Sequence, residues 1–542
     1  METKWFKIES VDEREKIAEA AQILRRGGLL AIPTETVYGL GANGLDEVAV
    51  RGIFEAKGRP QDNPLILHVP DASWLTRYCE SVPESAYRLA ERFWPGPLTI
   101  ILPKKECVPY RTTGGLETVG VRCPDHAVTR AIIAEAGVPV AAPSANLSGR
   151  PSCTSAEHVR EDMDGRIDGI VDGGECSVGV ESSIIDLTVT PPRLLRPGGL
   201  SLEELREVLG EVAVDKAVTQ KLSEGEKPRA PGMKYRHYAP KAPLTVVTGE
   251  ARASARHILA NAPKESGIIC FEEFLPLFAG EVRSLGRSDD KGAQAQRVFA
   301  ALRTFDETSV PCIFAQCPDS SGLGLAIGNR LKKAAGFSEI SVESNVKVIG
   351  ITGCTGAGKT SLLTALKELG GEILDCDALY HQMLRDDEAM RRDIADTFGD
   401  VFDENGILDR KKLGSIVFAD KEKLAQLDYI THVHLPRRAA QCIERSEKTL
   451  FGIDAIKLFE SGLASLCDLT LAVTAAAETR VQRIMRRDGI GEEYARSRVA
   501  AQKDAAFYRE RCDAEFVNNY PTVDEASTAA IEFLHNILKE EL

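Results

Sequence analysis

The sequence predicts an α/β protein of several domains, and three observations carry that prediction. At 542 residues the chain is too long for one hydrophobic core, given about 100–200 residues per domain. Short apolar runs punctuated by Gly and Pro alternate with helical stretches through most of it, the order that builds mixed or parallel sheets. At Gly353 the stretch "GCTGAGKT" stands between a strand-like "VKVIGIT" and a helix-like "SLLTALKELG", the setting a phosphate-cradling loop requires.

From Asp12 to about Leu209 the apolar runs "GGLLAIPTETVYGLG", "NPLILHV", "PLTIIL", "VGVR" and "VPVAAPSA" read as strands, after a helix-like "EREKIAEAAQILRRG". "SLEELREVLGEV" has Ser and Glu at capping-box spacing, a helix start that closes a first domain at residues 1–209. The polar "KLSEGEKPRAPGMKYRHYAPKAP" follows without period, so residues 210–243 read as a linker: a passive tether, or a lid by virtue of its aromatic and basic content. Residues 244–345 repeat strand, helix, strand ("PLTVVTG", "ARASARHILANAP", "GIICFEE", "AQRVFAALRTF", "PCIFAQ") and form a small α/β unit. Its "GLGLAIG" departs from the glycine spacing of a dinucleotide loop and reads as a tight turn. The last unit occupies residues 346–542.

Composition narrows the function classes. A net charge of -14 and only 6% aromatic residues argue against a broad nucleic-acid surface or a base-stacking platform. The odd count of 13 cysteines, with no CxxC pair, points to reduced thiols. Cys312 with Cys317, and His432 with His434, lack a matching second pair for zinc. The start "METKWFKIES" has no signal-peptide core, and no run of 18 apolar residues occurs. A cytoplasmic location without membrane attachment is expected.

In the last unit the glycines let backbone N–H groups turn inward around phosphate oxygens. Lys359 would neutralise the β and γ phosphates, the Thr360 hydroxyl would ligate Mg²⁺, and the next helix adds its positive dipole end. The strand "EILD" delivers Asp375 to its carboxyl end, where it could accept the proton of an attacking hydroxyl or merely cap the next helix, as could Asp377. Arg483, Arg486 and Arg487 are placed to form a phosphate-clamping lid or a solvated basic face. "GITGCTGAGKTSLLTALKELGGEILDCDALYHQML", "ENGILDRKKLGSIVFADKEKLAQLDYITHVHL", "LFESGL" and "RRDGIGEEYARSRVAAQ" together resemble dephospho-CoA kinase, in order and over the whole unit. That resemblance implies a P-loop kinase domain with a parallel sheet, and transfer of the ATP γ-phosphate to the ribose 3′-hydroxyl of dephospho-CoA. It implies ATP on Gly356, Ala357, Gly358, Lys359, Thr360 and Ser361, with Asp375 near the acceptor and Arg483 and Arg487 in the lid. Two departures stand out: the family's Pro-Leu-Leu reads Ile456-Lys457-Leu458, and its His-Pro reads His432-Val433.

Ahead of the loop, "PTETVYGLG", "KGRPQDNPLILHV", "APSANLSGRPS" and "VGVESSIID…LLRPGG" combine separated cations with many neutral donors. Singly they read as turns and solvated charges; together they suit a polyphosphate beside a small zwitterion. With "FWPGPLT" and "VRCPDH", they closely resemble the threonylcarbamoyl-AMP synthase family, with its YrdC-like fold, over residues 12–207. "APGMKYRHYAPKAPL" and the following Rossmann-like accessory unit match the long two-domain form, whose linker folds over the active site. The resemblance implies L-threonine near Thr36, His68, Arg122 and Ser182. It implies ATP near Lys57, Arg59, Asn63, Thr118, Ser144, Asn146, Ser152 and Arg196, with Lys57 and Arg59 catalytic and Tyr235, His237 and Tyr238 in the lid. Threonine, bicarbonate and ATP would give threonylcarbamoyl-AMP and pyrophosphate, for tRNA modification completed by other proteins that this chain could contact. Mg²⁺ is expected on the triphosphate.

The sequence thus supports a fused synthase and kinase. Its alternatives are a synthase with a regulatory, non-catalytic ATP-binding module, motivated by Lys457, and an RNA-binding first half, which the charge disfavours.

Overall fold

A computed structural model of the chain describes residues 2–61, 63–220, 230–231, 238–404, 406–501 and 503–540. They form two compact units, one of Met1–Ala251, Lys264–Glu272 and Gly280–Ser341, the other of Arg252–Pro263, Glu273–Ala279 and Val342–Leu542.

The first unit holds two sheets. The larger takes β1 (Lys4–Lys7), β2 (Leu30–Ile32), β3 (Gly39–Asn43), β4 (Ile66–His68), β5 (Leu98–Pro103), β6 (Thr118–Arg122), β7 (Val140–Ala141), β8 (Gly169–Asp172), β9 (Ser183–Asp186), β10 (Arg193–Arg196) and β11 (Ala213–Val214). Their order is β1-β8-β2-β3-β7-β4-β6-β5-β9-β10-β11, with parallel and antiparallel neighbours mixed. Strand alternation distributes side chains to both faces: Leu30 and Ile32 enter one core with Leu24 and Ile132, while Ala31 enters the other with Phe54 and Leu67. The capping box at Ser201 forms as expected and starts the helix Leu202–Leu209. Beyond it β11 pairs with β10, so the sheet reaches past residue 209.

The smaller sheet takes β12 (Leu244–Gly249), β13 (Gly267–Cys270), β14 (Val282–Ser284), β15 (Ile313–Gln316) and β16 (Glu339–Val342), in the order β14-β13-β15-β12-β16. Of "GLGLAIG", Gly322 and Leu323 form the expected turn, while Gly324 to Gly328 are already the start of the helix Gly324–Ala334. A Cβ on Gly324 would lie 1.8 Å from the Asp319 carbonyl, so the glycine serves close backbone packing.

The second unit is a five-stranded, fully parallel sheet of β17 (Lys347–Gly353), β18 (Glu372–Asp375), β19 (Leu450–Asp454), β20 (Leu469–Thr474) and β21 (Ala514–Val517), ordered β18-β19-β17-β20-β21. Ile349, Ile351, Leu471 and Val473 are buried strand residues, as a sheet covered on both faces demands. Among the described residues no helix is long and apolar enough to cross a membrane.

Candidate functional site

A cleft of about 710 Å³ opens in the first unit where several strand ends and loops of the large sheet converge. Helix Glu47–Lys57 ends in a left-handed cap: Gly58 has φ 61°, and the Arg59 N–H returns to the Phe54 carbonyl at 2.9 Å. That cap aims Lys57 and Arg59 at the cleft. The Lys57 ammonium, itself buried, donates to the Ser144 and Asn146 carbonyls, and the Ser148 N–H donates to the Lys57 carbonyl at 2.9 Å. Burial, with Arg59 adding repulsion, pushes the Lys57 ammonium down to about 7.

The "PSANLSGRPS" loop is equally fixed. Ser144 Oγ donates to Asn146 Oδ1, and Asn146 Nδ2 donates to the carbonyls of Leu147 and Arg150 at 2.8 and 2.9 Å. Ser152 Oγ donates to Glu181 Oε1 at 2.8 Å. At the sheet's β4–β6 junction, in register, sit His68 and Arg122. Burial, then the Arg122 charge, depress His68 to about 3, so its imidazole is neutral at any physiological pH. Arg122 Nη2 lies 2.8 Å from Glu35 Oε1, both side chains nearly inaccessible. Arg196 donates from Nε and Nη2 to the Ser182 carbonyl at 3.1 and 2.9 Å, and from Nη2 to Ser182 Oγ at 3.1 Å.

Of the residues expected from sequence, Lys57, Arg59, His68, Arg122, Ser144, Asn146, Ser182, Arg196 and Tyr238 line the cleft together. Thr36 does not: it is fully buried, and its Oγ1 lies 2.9 Å from that of Thr34, which lines the cleft in its place. The chain bends at Glu35–Val37, where Thr34 Oγ1 accepts from the Thr36 and Val37 N–H groups at 3.2 Å each, and the bend leaves Thr34 on the cleft wall with Thr36 packed beneath it. Ser152 lies behind Glu181, and Thr118 lines a neighbouring cavity of about 260 Å³ that shares Ile66 and Pro231 with the cleft. Asn63 is fully buried, and its amide makes no hydrogen bond among the described residues. Tyr235 and His237 lie outside the described residues. Glu181 and Thr34 were quoted in their motifs without a role; the signal for Glu181 was a carboxylate set against two serines at a strand start.

In the second unit, β17 delivers Gly353 to the phosphate loop. Its φ of 144° and a virtual Cβ 2.1 Å from the Val473 carbonyl leave room for no side chain. Gly356 and Gly358 take φ of 80° and 85°, and the helix Lys359–Glu368 starts at once. Lys359 Nζ meets Asp454 Oδ1 at 2.6 Å, and Asp454 stands in register with Asp375 on the adjacent strand end. Asp454 was missed, although "LFGID" carried the signal of an apolar run ending in a carboxylate. Asp375 is exposed and also caps the helix Cys376–Asp386, its Oδ1 accepting from the Asp377 and Ala378 N–H groups at 3.0 Å each. The cap is therefore Asp375, not Asp377.

Arg483 departs from the lid expectation. Its Nη1 donates to the carbonyls of Ala357 and Asn518, and its Nη2 to that of Tyr520, each at 3.0 Å, so it braces the phosphate loop from behind. Arg487 is more than half exposed and engages Asp488 at 2.7 Å. Lys457, the departure from the kinase pattern, points to solvent with Asp428 at 3.4 Å, while Leu458 is fully buried beneath Gly350.

Convergent buried cations in the first unit and a strand–loop–helix cradle in the second define the class: an α/β protein that holds phosphorylated ligands. A family model described as "Telomere recombination" (Sua5, YciO and YrdC) matches residues 22–198, and one for the threonylcarbamoyl-AMP synthase C-terminal domain matches residues 200–336. A third, for dephospho-CoA kinase, matches residues 347–524. Over 336 residues the chain is 51% identical to a threonylcarbamoyl-AMP synthase of Pyrococcus abyssi, covering 61% of this chain and 97% of that protein. Over 345 residues it is 47% identical to the Bacillus subtilis enzyme, covering 62% and 99%. A crystal structure of P. abyssi Sua5 complexed with L-threonine superposes with a TM-score of 0.59 at 48% identity, covering 63% of this chain and all of that one. The chain belongs to the threonylcarbamoyl-AMP synthase family and carries a dephospho-CoA kinase-like domain after it.

Proposed function

We propose that the first unit makes threonylcarbamoyl-AMP from L-threonine, bicarbonate and ATP, releasing pyrophosphate and water. The threonine nitrogen forms a carbamate with the bicarbonate carbon, and a carbamate oxygen attacks the α-phosphorus as pyrophosphate leaves. No side-chain nucleophile is needed; the difficulty is holding two anions together. The observation that carries this reading is the set of four cations, Lys57, Arg59, Arg122 and Arg196, fixed around one cleft. The positions of Lys57, Arg122 and Arg196 are set by backbone carbonyls and a carboxylate before any ligand arrives, which is electrostatic preorganisation. Neutral His68 and the Ser182 hydroxyl suit the uncharged part of threonine. The buried amide of Asn63, which makes no hydrogen bond among the described residues, suits a polar ligand group.

The second unit is proposed to phosphorylate dephospho-CoA. Lys359 would leave Asp454 for phosphate oxygens, and Asp375 stands at the strand end where an acceptor hydroxyl would be deprotonated. Thr360 with the Asp454 carboxylate offers the hard oxygen donors that Mg²⁺ takes, and Mg²⁺ would neutralise charge on the transferring phosphate. Because Lys457 faces solvent, the departure around it leaves the loop intact, which favours a working kinase over a regulatory module. The proposed setting is a cytoplasmic one, with the product passed to tRNA-modifying proteins.

The test uses the purified full chain. Threonine- and bicarbonate-dependent pyrophosphate release should vanish in Arg59→Ala, and CoA formation from dephospho-CoA should vanish in Lys359→Ala. Pyrophosphate release without threonine would sink the first reading. CoA formation absent from the parent would return the second unit to a nucleotide sensor.

A further inference from the structure

Arg330 is a fully buried side chain on the helix Gly324–Ala334, outside the large sheet that forms the cleft. The helix is buried on nearly every side, with Asn329 and Lys333 buried as well as Ile327, Leu331 and Ala334; Arg330 occupies an interior position where an apolar residue would be ordinary. Every arm of its guanidinium is used. Nε donates to Glu181 Oε2 at 2.7 Å, Nη2 to the Pro197 carbonyl at 2.9 Å, and Nη1 to Asn329 Oδ1 at 2.9 Å. Asn329 in turn donates to the Val218 carbonyl at 2.7 Å.

Glu181 is the carboxylate at the centre of this cluster. One oxygen takes Ser152, the other Arg330, and Arg196 stands close enough for its charge to be felt. Burial works to raise the Glu181 carboxyl; Arg330, and then Arg196, outweigh it and hold the group down at about 2. The Tyr238 ring lies over the Arg330 guanidinium at 5.8 Å and against Phe299 at 5.0 Å, with a left-handed backbone at φ 65°. Burial and the Glu181 charge both raise its hydroxyl.

Arg330, Arg196 and the buried Lys333 all act on this one carboxylate, and Arg330, which holds the direct bond, does not line the cleft, whereas Arg196 does. We infer that Arg330 is a positioning residue of the synthase: by occupying Glu181, it leaves Arg196 on the Ser182 carbonyl, turned to the anionic substrate. Remove Arg330, and Glu181 remains a buried anion next in the chain to Ser182, the residue that Arg196 grips. Pairing Glu181 with Arg196 would draw Arg196 off Ser182 and neutralise the charge that ATP needs. The helix Gly324–Ala334 thereby supplies Glu181 with its counter-charge and leaves Arg196, on β10, to the cleft. This inference deepens the synthase reading and rests on it.

The test compares the full-length parent, R330M and E181Q/R330M. Pyrophosphate release reports KM for ATP and for threonine, and calorimetric titration with a non-hydrolysable ATP analogue gives the affinity of each nucleotide site, two of them expected in the parent. R330M should raise KM for ATP by about tenfold or more and weaken one of the two nucleotide sites by a similar factor, with a smaller effect on threonine KM. E181Q/R330M, which buries no lone carboxylate, should recover most of the ATP affinity at that site. A merely structural role predicts that the KM values for ATP and for threonine change together in R330M, without the larger effect on ATP. R330M binding ATP like the parent, or a folded double variant no better than R330M, overturns the inference. If R330M does not fold, the double variant decides alone: a folded protein with one nucleotide site weakened by about tenfold or more overturns it. A parent that binds two nucleotides but releases no pyrophosphate overturns the synthase reading instead, and the site affinities still decide the role of Arg330.

Discussion

Binding of ATP to the cleft should take up a proton, because Lys57 is held at about 7 in the free protein. The phosphates of ATP would return it toward its ordinary value of 10.5 by supplying the anions it lacks. With those two values, binding at about pH 8 takes up about 0.9 proton at Lys57, and at about pH 6 only about 0.1. ATP affinity should fall roughly tenfold per pH unit above about 7, up to a total coupling of about 5 kcal/mol. Calorimetry in buffers of different ionisation enthalpy measures the uptake directly, with Lys57→Met as the subtraction. Uptake that does not change with pH, or that persists in Lys57→Met, would refute the reasoning. The same depression sets a stability trend. The folded state disfavours the charged lysine, so the free protein carries the full cost below about 7 and loses it as pH rises toward 10.5. Lys57→Met should flatten that part of the stability–pH curve.

His68 gives an acid counterpart: held at about 3 against an ordinary 6.5, it makes the fold lose stability as pH falls between those values. His68→Gln should shift the acid-unfolding midpoint of the first unit to lower pH while weakening threonine binding. Gly353→Ala places a methyl against the Val473 carbonyl, so β17 and β20 must part. CoA formation should disappear and the second unit should melt several degrees lower, while pyrophosphate release persists. Arg303 pairs with the fully buried Asp162 at 2.8 Å, and Asp162 also holds the Leu147 N–H at 3.0 Å in the serine-rich loop. Arg303→Met should cost about 3 kcal/mol by thermal unfolding, and Asp162→Asn in the same chain should recover part of it.

The local code of the sequence determined most of the fold and roughly half of each site. Capping at Ser201 and strands such as β2, β4, β5, β6, β12, β13, β15, β17 and β18 follow from short-range periodicity and steric rules that a few neighbouring residues satisfy by themselves. The phosphate loop did too, because Gly353, Gly356 and Gly358 need left-handed or crowded backbone wherever the chain goes next. Lys57 and Arg59 were legible as a pair beside Gly58 for the same reason. Tertiary structure alone decided which hydroxyl of Thr34 and Thr36 faces the cleft, since the chain bends between them and strand periodicity does not reach across the bend. It also decided that Arg483 braces the loop rather than covering it, and that Asp454 meets Lys359 from a strand 95 residues away. Most of all it joined Arg330 to Glu181 across 149 positions of chain. Periodicity marks a charged residue on a buried helical face as an exception; only the packed partner, brought there by burial of the surrounding apolar surface, says which charge makes that exception stable.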